Sequence, residues 1–243
     1  MNLSDYIKLD KKDIMSIVGA GGKTTMMFKL AEELRQCSKV LVTTTTKIYM
    51  PPKDMYDFIC TDGERFHKYT DMKENGVYIL GNGVNQENKI LGLNEKQLSE
   101  LAPHFDYILI EADGSKEKQL KGWSEFEPVI YSKTTKTIGI IDIRSIGIVI
   151  SEDKVHRSKI FCKITGTDQG DTVKLEHLTK LIMHPQGLFK GAQGEKILYI
   201  NKVEDPEQLV LAKLLACEIN LRNDKIVNRV IIGSLKTNTY FDK

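Results

Sequence analysis

The sequence predicts an α/β fold built on a mostly parallel sheet with helices on both faces. Three stretches predict it. Ser16-Ile17-Val18-Gly19-Ala20-Gly21-Gly22-Lys23-Thr24-Thr25 is an apolar strand that runs through a glycine turn into a helix. Tyr107-Ile108-Leu109-Ile110-Glu111-Ala112-Asp113-Gly114 is an apolar strand ending in acids, and Ile197-Leu198-Tyr199-Ile200-Asn201-Lys202-Val203-Glu204 ends in an amide, a cation and an acid. All three are nearly continuous apolar runs, as parallel strands covered on both faces tend to be.

Composition sets the frame. At 243 residues, with 41% hydrophobic and 28% charged, the chain suits one domain over 1–243 with an insertion at about 54–103. Lys and Arg number 35 against 33 acids, and a net charge of +2 gives no argument for nucleic acid. The first twelve residues include Asp5, Lys8, Asp10, Lys11 and Lys12 around no apolar core, so no signal peptide is read there. No uncharged run approaches the ~18 residues of a membrane span. No membrane partner and a cytoplasmic location are therefore expected. Cys37, Cys60, Cys162 and Cys217 lack Cys-x-x-Cys spacing and read as reduced thiols.

The first strand, over 13–19, leads into the chemical centre. Glycines let the backbone curl round an anion with its N–H groups inward, and the helix start adds the positive end of its dipole. Gly19, Ala20, Gly21, Gly22, Lys23, Thr24 and Thr25 form the expected phosphate cradle of a P-loop NTPase-like domain. Lys23 would reach the β and γ phosphates of ATP or GTP, and Thr24 would put its hydroxyl on Mg²⁺. The usual spelling of such a loop has a glycine five residues before Gly22, where this chain has Ile17. A helix to about Gln36 follows, with Met27, Leu30, Ala31 and Leu34 on one stripe.

A second strand over 39–42 opens into Thr43-Thr44-Thr45-Thr46-Lys47. Threonine suits a strand end, and the hydroxyls of Thr44 and Thr45 are also placed to meet Mg²⁺ or phosphate; both readings stand. The stretch 54–103 is longer than a crossover needs. Within it, 77–80 and 89–91 flank Gly81-Asn82-Gly83 and predict a β-hairpin on the sheet edge.

At the end of the next strand Glu111 and Asp113 project to one side, by the period of two. With Lys23 they form the expected catalytic set, Asp113 sharing the metal with Thr24 and Glu111 positioning the attacking water. Residues 115–136 carry Lys116, Lys118, Lys121, Lys133 and Lys136 among Glu117, Glu125 and Glu127, and read as a solvated mixed-charge loop. Strand material over 137–150 precedes helices over 155–164 and 173–183, the second capped by Asp171 or Thr172. Asn201, Lys202 and Glu204 match, with Glu in place of Asp, the element by which many GTPases read a purine. A helix from Asp205-Pro206 to about Asn220 and a closing strand over 229–235 complete the chain.

With these residues in hand, the chain resembles the YqeC family, described as selenium-dependent hydroxylase accessory proteins or selenium cofactor biosynthesis proteins. The resemblance rests on 18–25, 42–47, Glu111-Ala112-Asp113-Gly114-Ser115-Lys116, Glu127-Pro128-Val129-Ile130, His156-Arg157, His184-Pro185-Gln186-Gly187 and Asn201-Lys202. This chain departs from the family by lacking proline near Gln119 and Gly122-Trp123. The resemblance implies a nucleotide-dependent step in maturing molybdenum hydroxylases that carry labile selenium, so such a client and a selenium species are the implied partners. Thr44, Thr45, Lys47, Ser115, Lys116, His156 and Arg157 are candidates for substrate or switch contacts. The same residues also admit a small-molecule kinase or ATP-dependent ligase, or a nucleotide-binding regulatory module without chemistry.

Overall fold

The structure is a computed structural model, and it describes residues 1–222 and 226–242. In chain order the elements are α1 (Leu3–Ile7), β1 (Ile14–Gly19), α2 (Lys23–Leu34), β2 (Lys39–Thr44), β3 (Lys47–Tyr49), β4 (Phe58–Cys60) and α3 (His67–Thr70). Next come β5 (Gly76–Leu80), β6 (Lys89–Leu91), α4 (Glu95–Leu101), β7 (Tyr107–Glu111), β8 (Leu120–Lys121), β9 (Lys136–Asp142) and β10 (Val155–His156). The remainder is α5 (Ser158–Thr165), α6 (Leu175–Met183), β11 (Glu195–Asn201), α7 (Pro206–Arg222), β12 (Arg229–Ser234) and β13 (Thr239–Asp242).

Nine strands form one sheet in the order β13-β12-β11-β9-β1-β7-β2-β5-β4. Every pairing is parallel except that of β12 with β13. Strand alternation divides the side chains between two layers. In β7, Tyr107 and Leu109 join a core built with Leu3 and Ile7 of α1 and Met26, Met27, Leu30 and Ala31 of α2. Ile108 and Ile110 enter the opposite layer with Leu98 and Leu101 of α4. Further along that layer, Phe161 of α5, Leu178 and Leu181 of α6 and Leu215 and Ile219 of α7 cover Leu198, Ile200, Val230 and Ile232. The expected mostly parallel sheet with helices on both faces is present. Among the described residues no helix is long and apolar enough to cross a membrane.

The expected hairpin over 77–91 forms differently. β5 is a parallel strand inside the main sheet, between β2 and β4, while β6 pairs antiparallel with β3. Val77, Tyr78, Ile79 and Leu80 are all fully buried, so they need cover on both faces, which an edge hairpin cannot give. The 54–103 stretch thus supplies β4 at one edge of the sheet and β5 beside it.

The helix expected over 155–164 begins at Ser158, because Val155 and His156 pair with Leu120 and Lys121 as β10 and β8. α6 is capped by Lys174 and not by Asp171 or Thr172. Those two residues lie in extended backbone, where Asp171 O accepts from Ile150 N and Thr172 bridges Val149.

Candidate functional site

The sheet order brings the three sequence motifs to one edge, because β7, β1, β9 and β11 are successive neighbours whose carboxyl ends point the same way. The glycine loop rises from β1 between them. At Gly21, φ is +85° and an added Cβ would lie 2.6 Å from Asp142 Cβ; at Gly22, φ is +139° and a Cβ would lie 2.4 Å from Asn201 Nδ2. Both backbone shape and the neighbouring strand ends therefore demand glycine. Gly22 is the N-cap of α2 and supplies no side chain to its open N–H groups. Among the described residues, the N–H groups of Gly21, Gly22, Lys23, Thr24 and Thr25 have no acceptor. Ala20 N–H is taken by Ile140 O, and Gly19 N–H by Asp113 Oδ2.

Lys23 is 4% exposed. Its ammonium donates to Gly19 O at 2.8 Å and lies 3.3 Å from Asp113 Oδ1 and 3.9 Å from Glu111 Oε1. Glu111 and Asp113 thus do share a side of β7, as the period of two requires. Their surroundings differ sharply. Asp113 is fully buried, and its Oδ2 accepts from Gly19 N at 3.1 Å and Trp123 Nε1 at 2.6 Å, with Lys121 Nζ at 3.0 Å. Burial alone would raise this acid, but Lys23 and Lys121, helped by the Gly19 and Trp123 donors, hold it below the usual carboxylate range. Glu111 moves the other way. Burial and the adjacent Asp113 push it up, against the pull of Lys23 and the Thr24 hydroxyl.

Thr24 Oγ1 donates to Glu111 Oε2 at 2.7 Å. Thr24 pairs with Glu111 and not with Asp113, whose Oδ2 is spent on three donors and whose Oδ1 faces Lys23. Among the described residues no three His, Cys, Asp or Glu side chains cluster as a metal site. One hydroxyl beside one carboxylate still fits Mg²⁺, which keeps several waters and takes other oxygens from substrate phosphate.

Lys121 is 1% exposed, which corrects its reading as part of a solvated loop. Its Nζ reaches Gly114 O at 2.5 Å, Asp113 Oδ2 at 3.0 Å and Glu127 Oε2 at 3.1 Å. Glu127 in turn is gripped by the Arg157 guanidinium. A chain of alternating charge therefore runs from buried Lys23, Asp113 and Lys121 out to the half-buried Glu127 and Arg157. His156, half-buried beside Arg157 and Lys121, has its pKa pushed down to about 4, by burial first and by those two cations next. His156 and Arg157 are thus joined to the loop through other residues and do not touch it.

Thr44 Oγ1 donates to Glu111 O at 2.6 Å, and Thr45 Oγ1 to Val129 O at 2.6 Å, so both tie backbone segments together. Lys47 and Lys116 are exposed and Ser115 partly so, and among the described residues none of the three bonds to Lys23 or the two carboxylates.

On the other flank Asn201 Nδ2 donates to Gly21 O at 2.8 Å and its Oδ1 accepts from Leu235 N at 3.3 Å. Lys202, at φ +65°, is held by Asp142 at 2.6 Å. Glu204 is exposed and accepts from Ser234 Oγ at 3.3 Å. Sequence reasoning missed Lys121, Trp123, Asp142 and Ser234 as members of the site.

Comparison with known proteins places the sequence in a family. The family model described as YqeC protein matches residues 15–159. The chain belongs to the YqeC family. It is 33% identical over 202 residues to the protein named "Uncharacterized protein YqeC" of Escherichia coli (strain K12), covering 81% of this chain and 78% of that one. The matched span of this YqeC-family chain holds the glycine loop, both carboxylates, Lys121, Glu127 and His156-Arg157. No solved structure matches.

Proposed function

We propose that this chain binds a nucleoside triphosphate with Mg²⁺ and hydrolyses it. One observation carries the reading: five consecutive backbone N–H groups, from Gly21 to Thr25, lack acceptors among the described residues at the start of a twelve-residue helix beside a buried lysine. Such groups accept an anion without rearrangement. Lys23, parked on Gly19 O and two carboxylates, is the cation that would turn to the β and γ phosphates. Thr24 and Glu111 would hold the metal, which supplies charge neutralisation on the phosphate oxygens. Asp113, kept ionised, positions Lys23 and the Gly19 end of the loop.

The base would lie by Asn201, Leu235 and Glu204, with Ser234 orienting Glu204. A carboxylate there can accept from the N1–H and 2-amino group of guanine together, and adenine offers no such pair. GTP is therefore the favoured triphosphate. The family resemblance gives hydrolysis its direction: release or delivery of a selenium species to a molybdenum hydroxylase client.

A second reading has an observation of its own. A groove of about 610 Å³ runs from Thr24 and Thr25 along α2 to Arg35, walled by Phe28, Tyr49, Met50 and Pro51-Pro52. It suits an acceptor molecule for a kinase or ligase. Incubation with Mg²⁺ and each triphosphate separates the cases. Steady phosphate release by the protein alone supports the hydrolysing factor, release only with an added metabolite supports the kinase or ligase, and binding without turnover leaves a regulatory module.

A further inference from the structure

Helix α7 is apolar on two opposite sides. Ala212, Leu215, Ala216 and Ile219 are buried against the sheet. On the outer side lie Val210, Leu214 and Leu221, which are 57%, 51% and 75% exposed, together with exposed Cys217. Their spacing of four, three and four is the repeat of a two-helix seam, with Val210 and Cys217 at d and Leu214 and Leu221 at a. At roughly 100° per residue the four fall on a stripe about 60° wide. Scattered surface apolar residues are ordinary, but four in one register are a contiguous face.

The flanking charges choose the occupant. In this register Lys213 stands at g and Glu218 at e. When two such helices run parallel, g of one faces e of the other five residues on, so Lys213 meets Glu218 of a second copy twice about the two-fold axis. An antiparallel pair centred on the same stripe would instead bring Lys213 near Asn220 and Glu218 near Leu211, leaving both charges without a partner on the second copy. Lys213 has no ion pair among the described residues, and Glu218 has only Arg222 at 3.9 Å between half-exposed side chains, a contact worth little.

We propose that the outer face of α7 binds a second copy of this chain, the two helices lying parallel along Val210, Leu214, Cys217 and Leu221. The seam is short, roughly 18 Å of helix, so the dimer is weak and concentration-dependent. Sedimentation from low to high micromolar concentration reads it directly. Leu214→Glu, folded by circular dichroism, is expected to be monomeric throughout. Lys213→Glu and Glu218→Lys are each expected to raise the dissociation constant on the order of tenfold, and the double reversal to restore it. In a Cys37→Ser background, where Cys217 is the exposed cysteine left, a short bismaleimide is expected to link two chains through Cys217. A parent that stays monomeric, a dimer indifferent to Leu214→Glu, or a double reversal that fails to restore association overturns the proposal.

Discussion

The hydroxyl of Thr24 lies 2.7 Å from Glu111 Oε2, while Asp113, two residues beyond, gives its Oδ2 to Gly19 N–H and the Trp123 indole. Two acids on one side of one strand end have been given opposite environments, and opposite shifts follow: Glu111 up, Asp113 down. Pairs pushed apart in this way commonly divide a task between them.

Glu111→Gln is therefore expected to raise the Mg²⁺ concentration needed for triphosphate binding, by roughly tenfold or more. Asp113→Asn is expected to weaken binding at every Mg²⁺ concentration without moving that midpoint. Mg²⁺ titrations followed by calorimetry check this, and equal midpoints for both variants and parent would reverse it.

Lys23→Ala is expected to lose triphosphate affinity by about 100-fold, since the phosphates would lack their buried cation. The fold is expected to survive, because Lys121 still balances Asp113 at 3.0 Å. Calorimetry on the folded variant decides it; unchanged affinity would mean that the loop holds no triphosphate.

Truncating Lys121 to Met leaves buried Asp113 with Lys23 as its remaining cation and half-buried Glu127 with Arg157 alone. Breaking a buried pair from one side costs roughly 3 kcal/mol, so the urea midpoint is expected to fall well below that of the parent. Lys118→Met, three residues away, where a half-buried lysine donates to Glu152 O and meets no carboxylate among the described residues, is the matched control.

Glu204→Ala and Ser234→Ala are expected to reduce a preference for GTP over ATP that is itself below about 10⁴-fold, the reach of a well-fitted hydrogen-bonding site. The extra methylene of Glu relative to Asp sets the carboxylate outward. Competition against a fluorescent triphosphate measures the ratio, and an unchanged ratio would remove Glu204 from the base site.

His156 gives a pH prediction with a definite sign. Its folded pKa of about 4 lies below its ordinary value of 6.5, so the folded state binds fewer protons than the unfolded chain in that window. The stabilising share is complete above pH 6.5 and is lost as pH falls toward 4. His156→Gln is expected to flatten the denaturation midpoint across that interval; an identical slope would exclude this histidine.

The sheet was legible where burial on both faces wrote itself as an unbroken apolar run: β1, β7 and β11 each follow from such runs, as does the α2 stripe of Met27, Leu30 and Ala31. Pairing was less legible. Val77 to Leu80 reads equally as half a hairpin or as an inner strand, since only distant partners decide between them. Lys121 was hidden for a different reason. A lysine among charged neighbours looks solvated until Asp113 and Glu127 are folded round it, and its only local sign was its place between Leu120 and the chain's single tryptophan, Trp123.

The position of β1 at the middle of the sheet has a consequence for how the protein is made. β1 is synthesised first among the strands, yet both its neighbours, β7 and β9, come from far along the chain. A nascent chain emerging at roughly 5–20 residues per second therefore exposes β1 with two open edges for many seconds. The outer brace of the glycine loop arrives later still, since the Asn201 amide that holds Gly21 O is 180 residues downstream. A product cut short before β11 would carry the glycine sequence without the Asn201 brace that holds Gly21.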